Sequence, residues 1–234
     1  MLDRIYVDDT VRGLRPDFAV LLMTAEGLAN TPSAGEVLHT GDLADSAAPH
    51  AEAWREAYRG FGVNPKRARP SVDALLRRAE LPGINRVVDA YNAVSVRYGL
   101  PIGGEDLDAY DGPARLVRAE GGEPFDTVKN GEPVIEHPEP GEVIWRDDAG
   151  VTCRRWNWRQ CTRTHITERT KNALFILERL EPYPLDRLTA AGAELAASLR
   201  VILEEHRRLW LARNRPGGLP DSCRRLEARL AEYG

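Results

Sequence analysis

The chain is short of cysteine, of basic charge and of long apolar runs, and each shortage removes a class of function. Three cysteines in 234 residues (Cys153, Cys161 and Cys223) are an odd number without CxxC spacing. That pattern supports neither a disulfide framework nor a zinc site. The five histidines are scattered without ligand spacing, so no metal or other cofactor is expected. Thirty-two Lys and Arg stand against 36 Asp and Glu, a formal net charge of -4 with pI near 5.8. A broad grip on nucleic acid rests on a basic surface; any RNA contact should therefore be local, and DNA is not an expected partner. No apolar run approaches the roughly 18 residues that span a bilayer, and the start MLDRIYVDD lacks a basic-then-apolar signal pattern. The expectation is a soluble, cytoplasmic protein without membrane contact, a monomer or weak homo-oligomer.

What is present is a globular composition, 42% hydrophobic and 29% charged, long enough to bury a sizeable core. Ile5 to Val7 and DFAVLLMTA (Asp17 to Ala25) read as strands, the second nearly continuous in apolar residues and therefore buried in a sheet. Ala47 to Tyr58 reads as a mostly solvated helix. PKRARP (Pro65 to Pro70) is a basic, proline-bounded loop, which serves either as a phosphate contact or as solvated surface. Ser71 caps a short helix with Leu75 and Leu76 inward. From Ile84 to Tyr98 the apolar residues recur at helical spacing, and Asn85, Asp89 and Asn92 form a polar line beside them. The first two are expected to fasten the helix to neighbouring loops, leaving Asn92 open to a ligand. LPIGGEDLDAYDG reads as a proline-glycine turn and an extended segment, followed by strands at Ala114 to Ala119 and Glu142 to Asp147. ALFILERL (Ala173 to Leu180) is a buried strand that places Glu178 either at the strand mouth or in a site.

A long amphipathic helix is predicted from Leu185 to about Ala212, with Leu188, Ala191, Leu195, Leu199, Ile202, Leu203 and Leu209 inward. Its late arginines, Arg200, Arg207, Arg208 and Arg213, answer the helix dipole or meet an RNA backbone. NRPGGLP reads as a linker to a short helix, Asp221 to Tyr233, seamed by Leu226 and Leu230. Strands and helices interleave without regular βαβ alternation. The fold class is therefore α+β: one domain over 1–213 built on a mixed or antiparallel sheet with flanking helices and a long C-terminal helix, then the linker and helix of 214–234.

CRRWNWRQC (Cys153 to Cys161) is the segment richest in chemistry, with three arginines, two tryptophans, an Asn and a Gln. Read as a strand, it puts Arg155, Asn157 and Arg159 on one face and Arg154, Trp156, Trp158 and Gln160 on the other. Guanidinium groups bind carboxylate or phosphate, indoles stack on bases and amides read polar ligands. The alternative is an edge strand whose tryptophans cap the core and whose arginines pair with surface carboxylates.

NRVVDAYNAVSVRYGLPIGGEDLDAYDG, then GGEP and THITERTKNALFILE, resembles the B3/B4 editing module of the phenylalanyl-tRNA synthetase beta chain. The anchors are Asn85, Val87, Val88, Asp89, Asn92, Val94, Gly99, Pro101, Asp106, Leu107, Asp108, Gly122, Glu123, Thr170 and Asn172. The likeness covers roughly residues 70–180. It implies a free-standing trans-editing deacylase that hydrolyses the ester of a mischarged aminoacyl-tRNA by positioning a water and stabilising the oxyanion with neutral donors.

On that resemblance Asn92, Asn157 and Gln160 orient the water and terminal ribose. Arg154, Arg155 and Arg159 hold phosphate or the carbonyl, Trp156 or Trp158 stacks on adenine, and Tyr91, Gly103 and Glu178 complete the substrate site. Tyr91 and Gly103 stand where the family commonly has Thr and His. Their loss equally fits a non-catalytic module that binds tRNA or an amino acid, or a structural remnant.

Overall fold

The computed structural model describes the backbone of residues 5–33, 35, 38–39, 44–78, 80–81, 83–213 and 225–232. Thirteen strands and five α-helices appear among them: β1 (Tyr6–Val7), α1 (Asp9–Leu14), β2 (Ala19–Glu26), β3 (Leu38–His39), α2 (Ala44–Gly60), α3 (Ser71–Leu76), β4 (Glu80–Leu81), α4 (Arg86–Tyr98), β5 (Ile102–Asp106), β6 (Arg115–Arg118), β7 (Phe125–Lys129), β8 (Glu132–Glu136), β9 (Val143–Arg146), β10 (Val151–Arg154), β11 (Arg159–Gln160), β12 (Ala173–Arg179), α5 (Leu185–Arg213) and β13 (Arg225–Glu232). A five-stranded sheet runs β1-β6-β9-β10-β11, and a four-stranded antiparallel sheet runs β13-β2-β12-β5. β1 pairs in parallel with β6. The expected α+β class and long C-terminal helix are therefore present.

β2 and β12 explain the layering. Both are apolar on both faces, and every residue of β12 is buried. Val20, Leu22, Leu174 and Ile176 point into a core shared with Leu116, Val143 and Trp145 of the five-stranded sheet, with Trp156 of the loop joining β10 to β11, and with α1 and α2. The alternate residues Leu21, Met23, Phe175 and Leu177 meet the stripes of α4 and α5. The period-2 alternation thus makes the four-stranded sheet the middle of three layers. Each large apolar side chain buried this way contributes about 1.5–3 kcal/mol.

α4 forms where the periodicity places it and is capped at both ends. Asn85 accepts from the Val88 amide at 3.0 Å, and Gly99 closes the helix at φ 63°, a left-handed conformation that suits glycine. Asn85 and Asp89 do fasten the helix. Asn85 also takes a bond from Asn30 at 2.7 Å, and Asp89 accepts from the Ile84 amide at 2.8 Å.

Several expectations are overturned. α2 is not mostly solvated: Trp54 and Tyr58 are wholly buried and Ala53 and Ala57 are buried beside them. α3 begins after Pro70 without a side-chain cap, and its buried residues are Val72 and Asp73, with Leu75 and Leu76 half-buried. Gly103 and Gly104 lie inside β5, not in a turn. Arg225–Glu232 is a strand paired along the whole of β2, not a helix, because the edge of β2 leaves a row of backbone groups that a strand satisfies and a helix does not. The linker at 214–224 and the side chains of Leu203, Arg207, Arg208, Leu209, Arg213, Leu226 and Leu230 lie outside the described residues.

Candidate functional site

The segment CRRWNWRQC is a hairpin, so its side chains do not alternate across one strand. β10 pairs with β11 through Cys153–Gln160 and Arg154–Arg159, and residues 155–158 form the loop. Arg155 and Trp156 occupy left-handed backbone at φ 49° and 67°, strained for such side chains. The loop is held by Trp156 N–H to Val143 O at 2.7 Å and Trp158 N–H to Arg154 O at 3.0 Å.

The hairpin tip closes a cleft of about 240 Å³ between the two sheets, walled on its other sides by α3 and α4. Tyr91, Asn92, Gly103, Trp156, Asn157, Trp158, Arg159, Gln160 and Glu178 all line it; Arg154 and Arg155 do not. Gly103 sits opposite Ile176 in the sheet, and a Cβ there would meet only Gln160 Nε2, at 3.6 Å. The missing side chain leaves room in the floor. Gly104, one residue on, faces the helical layer, where a Cβ would fall 2.7 Å from Tyr91 and 2.8 Å from Ile166.

Two carboxyl groups line this floor. Glu178 continues the inward face of Leu174 and Ile176 and is 2% exposed. It accepts from Trp145 Nε1 and from Asn157 Nδ2, each at 2.9 Å. Burial outweighs these donors and pushes its pKa up to about 8, with the Glu105 charge adding to the rise. Glu105, 1% exposed, accepts from the Tyr110 hydroxyl. Burial raises it to about 7, and the Asp147 charge adds to that. The Cys153 thiol in the same cleft is pushed well above its ordinary value by burial and by both carboxylates, which disfavours the thiolate.

The amides divide by how they are used. Asn157 is committed twice: its Oδ1 accepts from Tyr58 OH at 3.0 Å while its Nδ2 serves Glu178. Gln160 Nε2 donates to Gly104 O at 2.7 Å. Asn92 is half-buried in the cleft and has no side-chain hydrogen bond among the described residues.

The arginines and tryptophans need correction. Arg154 is buried and gripped by Glu142 at 2.8 and 2.9 Å and by Glu136 at 3.1 Å, so it is structural and not a phosphate ligand. Arg155 lies 3.6 Å from Glu142 and, like Arg159, over the Trp158 ring, at 4.1 Å and 4.6 Å from the centroid. Of these three arginines Arg159 alone is exposed and lines the cleft. Trp156 is wholly buried among Phe18, Trp54 and Phe61 and cannot stack on a base; Trp158 is half-buried, and a base stacking on it must displace a guanidinium from its ring. Glu105, Trp145 and Arg78 belong to the cleft and were not picked out from the sequence. A carboxylate directly after two strand glycines was the one available sign of Glu105.

Residues 53–189, more than half of the sequence, match the family described as the B3/4 domain. The chain belongs to the B3/4 domain family. Among solved structures this B3/4 chain is similar to an N-terminal fragment of the phenylalanyl-tRNA synthetase beta-subunit from Pyrococcus horikoshii, at 15% identity and a TM-score of 0.41. The match covers 84% of this chain and 48% of that one, so the chain spans about half the length of the synthetase fragment. No curated protein matches it. The matched B3/4 residues take in α3, α4 and the whole hairpin, and therefore every wall of the cleft. No cluster of three metal-ligating side chains occurs among the described residues, and no helix among them is long and apolar enough to cross a membrane.

Proposed function

We propose that this B3/4 protein is a trans-acting aminoacyl-tRNA deacylase. The observation that carries the reading is the pairing of a buried, oriented carboxyl, Glu178, with an uncommitted amide, Asn92, in one cleft whose mouth holds Arg159 and Trp158. The terminal nucleotide lies at the mouth, its phosphate near Arg159 and its base against Trp158, and the aminoacyl group enters toward Gly103.

A carboxyl with a pKa near the working pH is suited to general-base catalysis. A water attacks the ester carbonyl carbon and passes its proton to the Glu178 carboxylate. The bond from that carbon to the ribose oxygen breaks, and the ribose oxygen recovers the proton as the amino acid leaves. Asn92 supplies a neutral donor to the developing oxyanion, a contribution of about a hundred- to a thousand-fold. Asn157 is a positioning residue that fixes Glu178.

The test is the pH profile of deacylation above the spontaneous rate. A rise with an apparent pKa near 8 that is lost in Glu178→Gln supports the assignment; a variant with the wild-type profile overturns it.

Tyr91 and Gly103, standing at the family's Thr and His positions, favour one second reading: a module that binds charged tRNA without cleaving it. Saturable binding with no release of amino acid would select that reading.

A further inference from the structure

A second depression lies on the far side of α3 from the cleft, about 210 Å³ in volume and lined by Arg55, Arg59, Lys66, Arg69, Arg77 and a single acid, Asp73, together with Asn64 and Pro65. From this groove we infer a phosphodiester-binding track for the RNA strand or stem that leads to the cleft, an inference that rests on the deacylase reading and extends it. Five cations line a groove of this size in a chain whose formal net charge is -4. Among the described residues Glu52 is the one further acid that pairs with them.

Three of the five cations, Arg55, Arg59 and Arg77, are held by acids. Asp73, its side chain 7% exposed, takes Arg55 at 2.7 Å and Arg77 at 3.2 Å. It spaces the two guanidinium groups while neutralising one charge. Glu52 holds Arg55 at 2.9 Å and Arg59 at 3.0 Å. The basic loop is rigid as well: Asn64 Oδ1 accepts from the Lys66 amide at 2.9 Å, Asn64 O accepts from the Arg67 and Ala68 amides, and Pro65, Ala68 and Pro70 are buried anchors between exposed Lys66, Arg67 and Arg69. Lys66 and Arg69 form no ion pair among the described residues. Holding three guanidinium groups and the loop backbone lowers the entropy cost of gathering cations on a polyanion, and Lys66 and Arg69 stay available to it.

Groove and cleft are mechanically one unit. α3 gives Asp73 to the groove and Ala74 and Leu75 to the cleft, and Arg77 and Arg78, just past its end, divide the same way. The Ser71 amide donates to Asn157 O at 3.1 Å, tying the end of the basic loop to the hairpin that positions Glu178. A ligand whose 3′ end enters the cleft and whose preceding phosphates cross α3 meets both. An acidic total surface combined with one local cationic track keeps the contact end-on and salt-sensitive.

The experiment compares wild type with Lys66→Glu/Arg69→Glu on two probes: a tRNA acceptor-stem hairpin ending in CCA, and a charged CCA-end minimal substrate too short to reach the groove. Hairpin binding should weaken about ten-fold or more, and the slope of log affinity against log salt should fall by about two. Hydrolysis of the minimal substrate should be unchanged, which also shows that the variant is folded. Unchanged hairpin affinity beside intact hydrolysis overturns the track and leaves the deacylase reading standing. Charge-dependent hairpin binding without any hydrolysis does the reverse. A wild type that binds no hairpin overturns the track outright.

Discussion

Asn157 Nδ2 donates to Glu178 Oε2 at 2.9 Å, joining the hairpin tip of one sheet to an inner strand of the other across the cleft. The same amide accepts from Tyr58 of α2 at 3.0 Å, so one side chain ties three elements. Removal leaves a buried hydroxyl and a buried carboxyl each short of a partner. Asn157→Ala should therefore lower stability by about 1–3 kcal/mol in denaturant titrations and also slow deacylation. Activity retained at the wild-type rate would show that Glu178 needs no positioning.

The adjacent glycines of β5 should behave oppositely. Gly104→Ala drives a methyl group to 2.7 Å from Tyr91 and 2.8 Å from Ile166, and should cost about 1–3 kcal/mol by overpacking. Gly103→Ala meets nothing closer than 3.6 Å. It should melt like wild type yet impair substrate binding, because it fills the floor of the cleft; thermal melts and KM separate the two.

Stability should carry opposing pH dependences. Glu105 and Glu178 titrate at about 7 and about 8 in the folded chain against an ordinary 4.5. The folded state thus holds their protons, and their contribution is complete below about pH 4.5 and lost as pH rises through 7 to 8. Buried His50 is lowered from 6.5 to about 4, chiefly by burial. Its neutral form favours folding above pH 6.5, and that advantage disappears as pH falls through 6.5 toward 4. Melting temperatures from pH 5 to 9 should show the alkaline loss in wild type, with a flatter alkaline limb in Glu178→Gln; equal slopes would contradict the assignment.

Arg154 should matter for folding and Arg159 for substrate. Arg154→Ala takes from buried Glu142, 2% exposed, the guanidinium that grips both its oxygens and leaves it only Arg155, at 3.6 Å, a loss of about 3 kcal/mol. Arg159→Ala removes an exposed cation from the cleft mouth and should raise KM with little change in melting temperature.

The parts of the fold that were legible in the sequence are those whose periodicity is enforced by burial on known faces. α4 shows its stripe, its Asn85 cap and its Gly99 stop in the residues themselves, and β2 and β12 show by continuous apolarity that both faces are covered. The hairpin at 155–158 was hidden because its turn is made by Arg155 and Trp156 in left-handed backbone, with no Gly or Asn-Gly to announce it. Nine of the eleven expected site residues nevertheless line one cleft, since a loop projecting into the cleft gathers side chains that strand alternation would have split. Arg154 misled because its partners, Glu136 and Glu142, lie 18 and 12 residues away in sequence. β13 misled because Leu226 and Leu230 suit a helix as well as they suit a strand, and only the open edge of β2 decides between the two.

The most direct test of the account is release of labelled amino acid from a panel of correctly and incorrectly charged tRNAs, with wild type beside Asn157→Ala and Glu178→Gln. Release above the spontaneous rate from one mischarged species, reduced in both variants, is the predicted result. No release from any species, or release that both variants perform as fast as wild type, would contradict it.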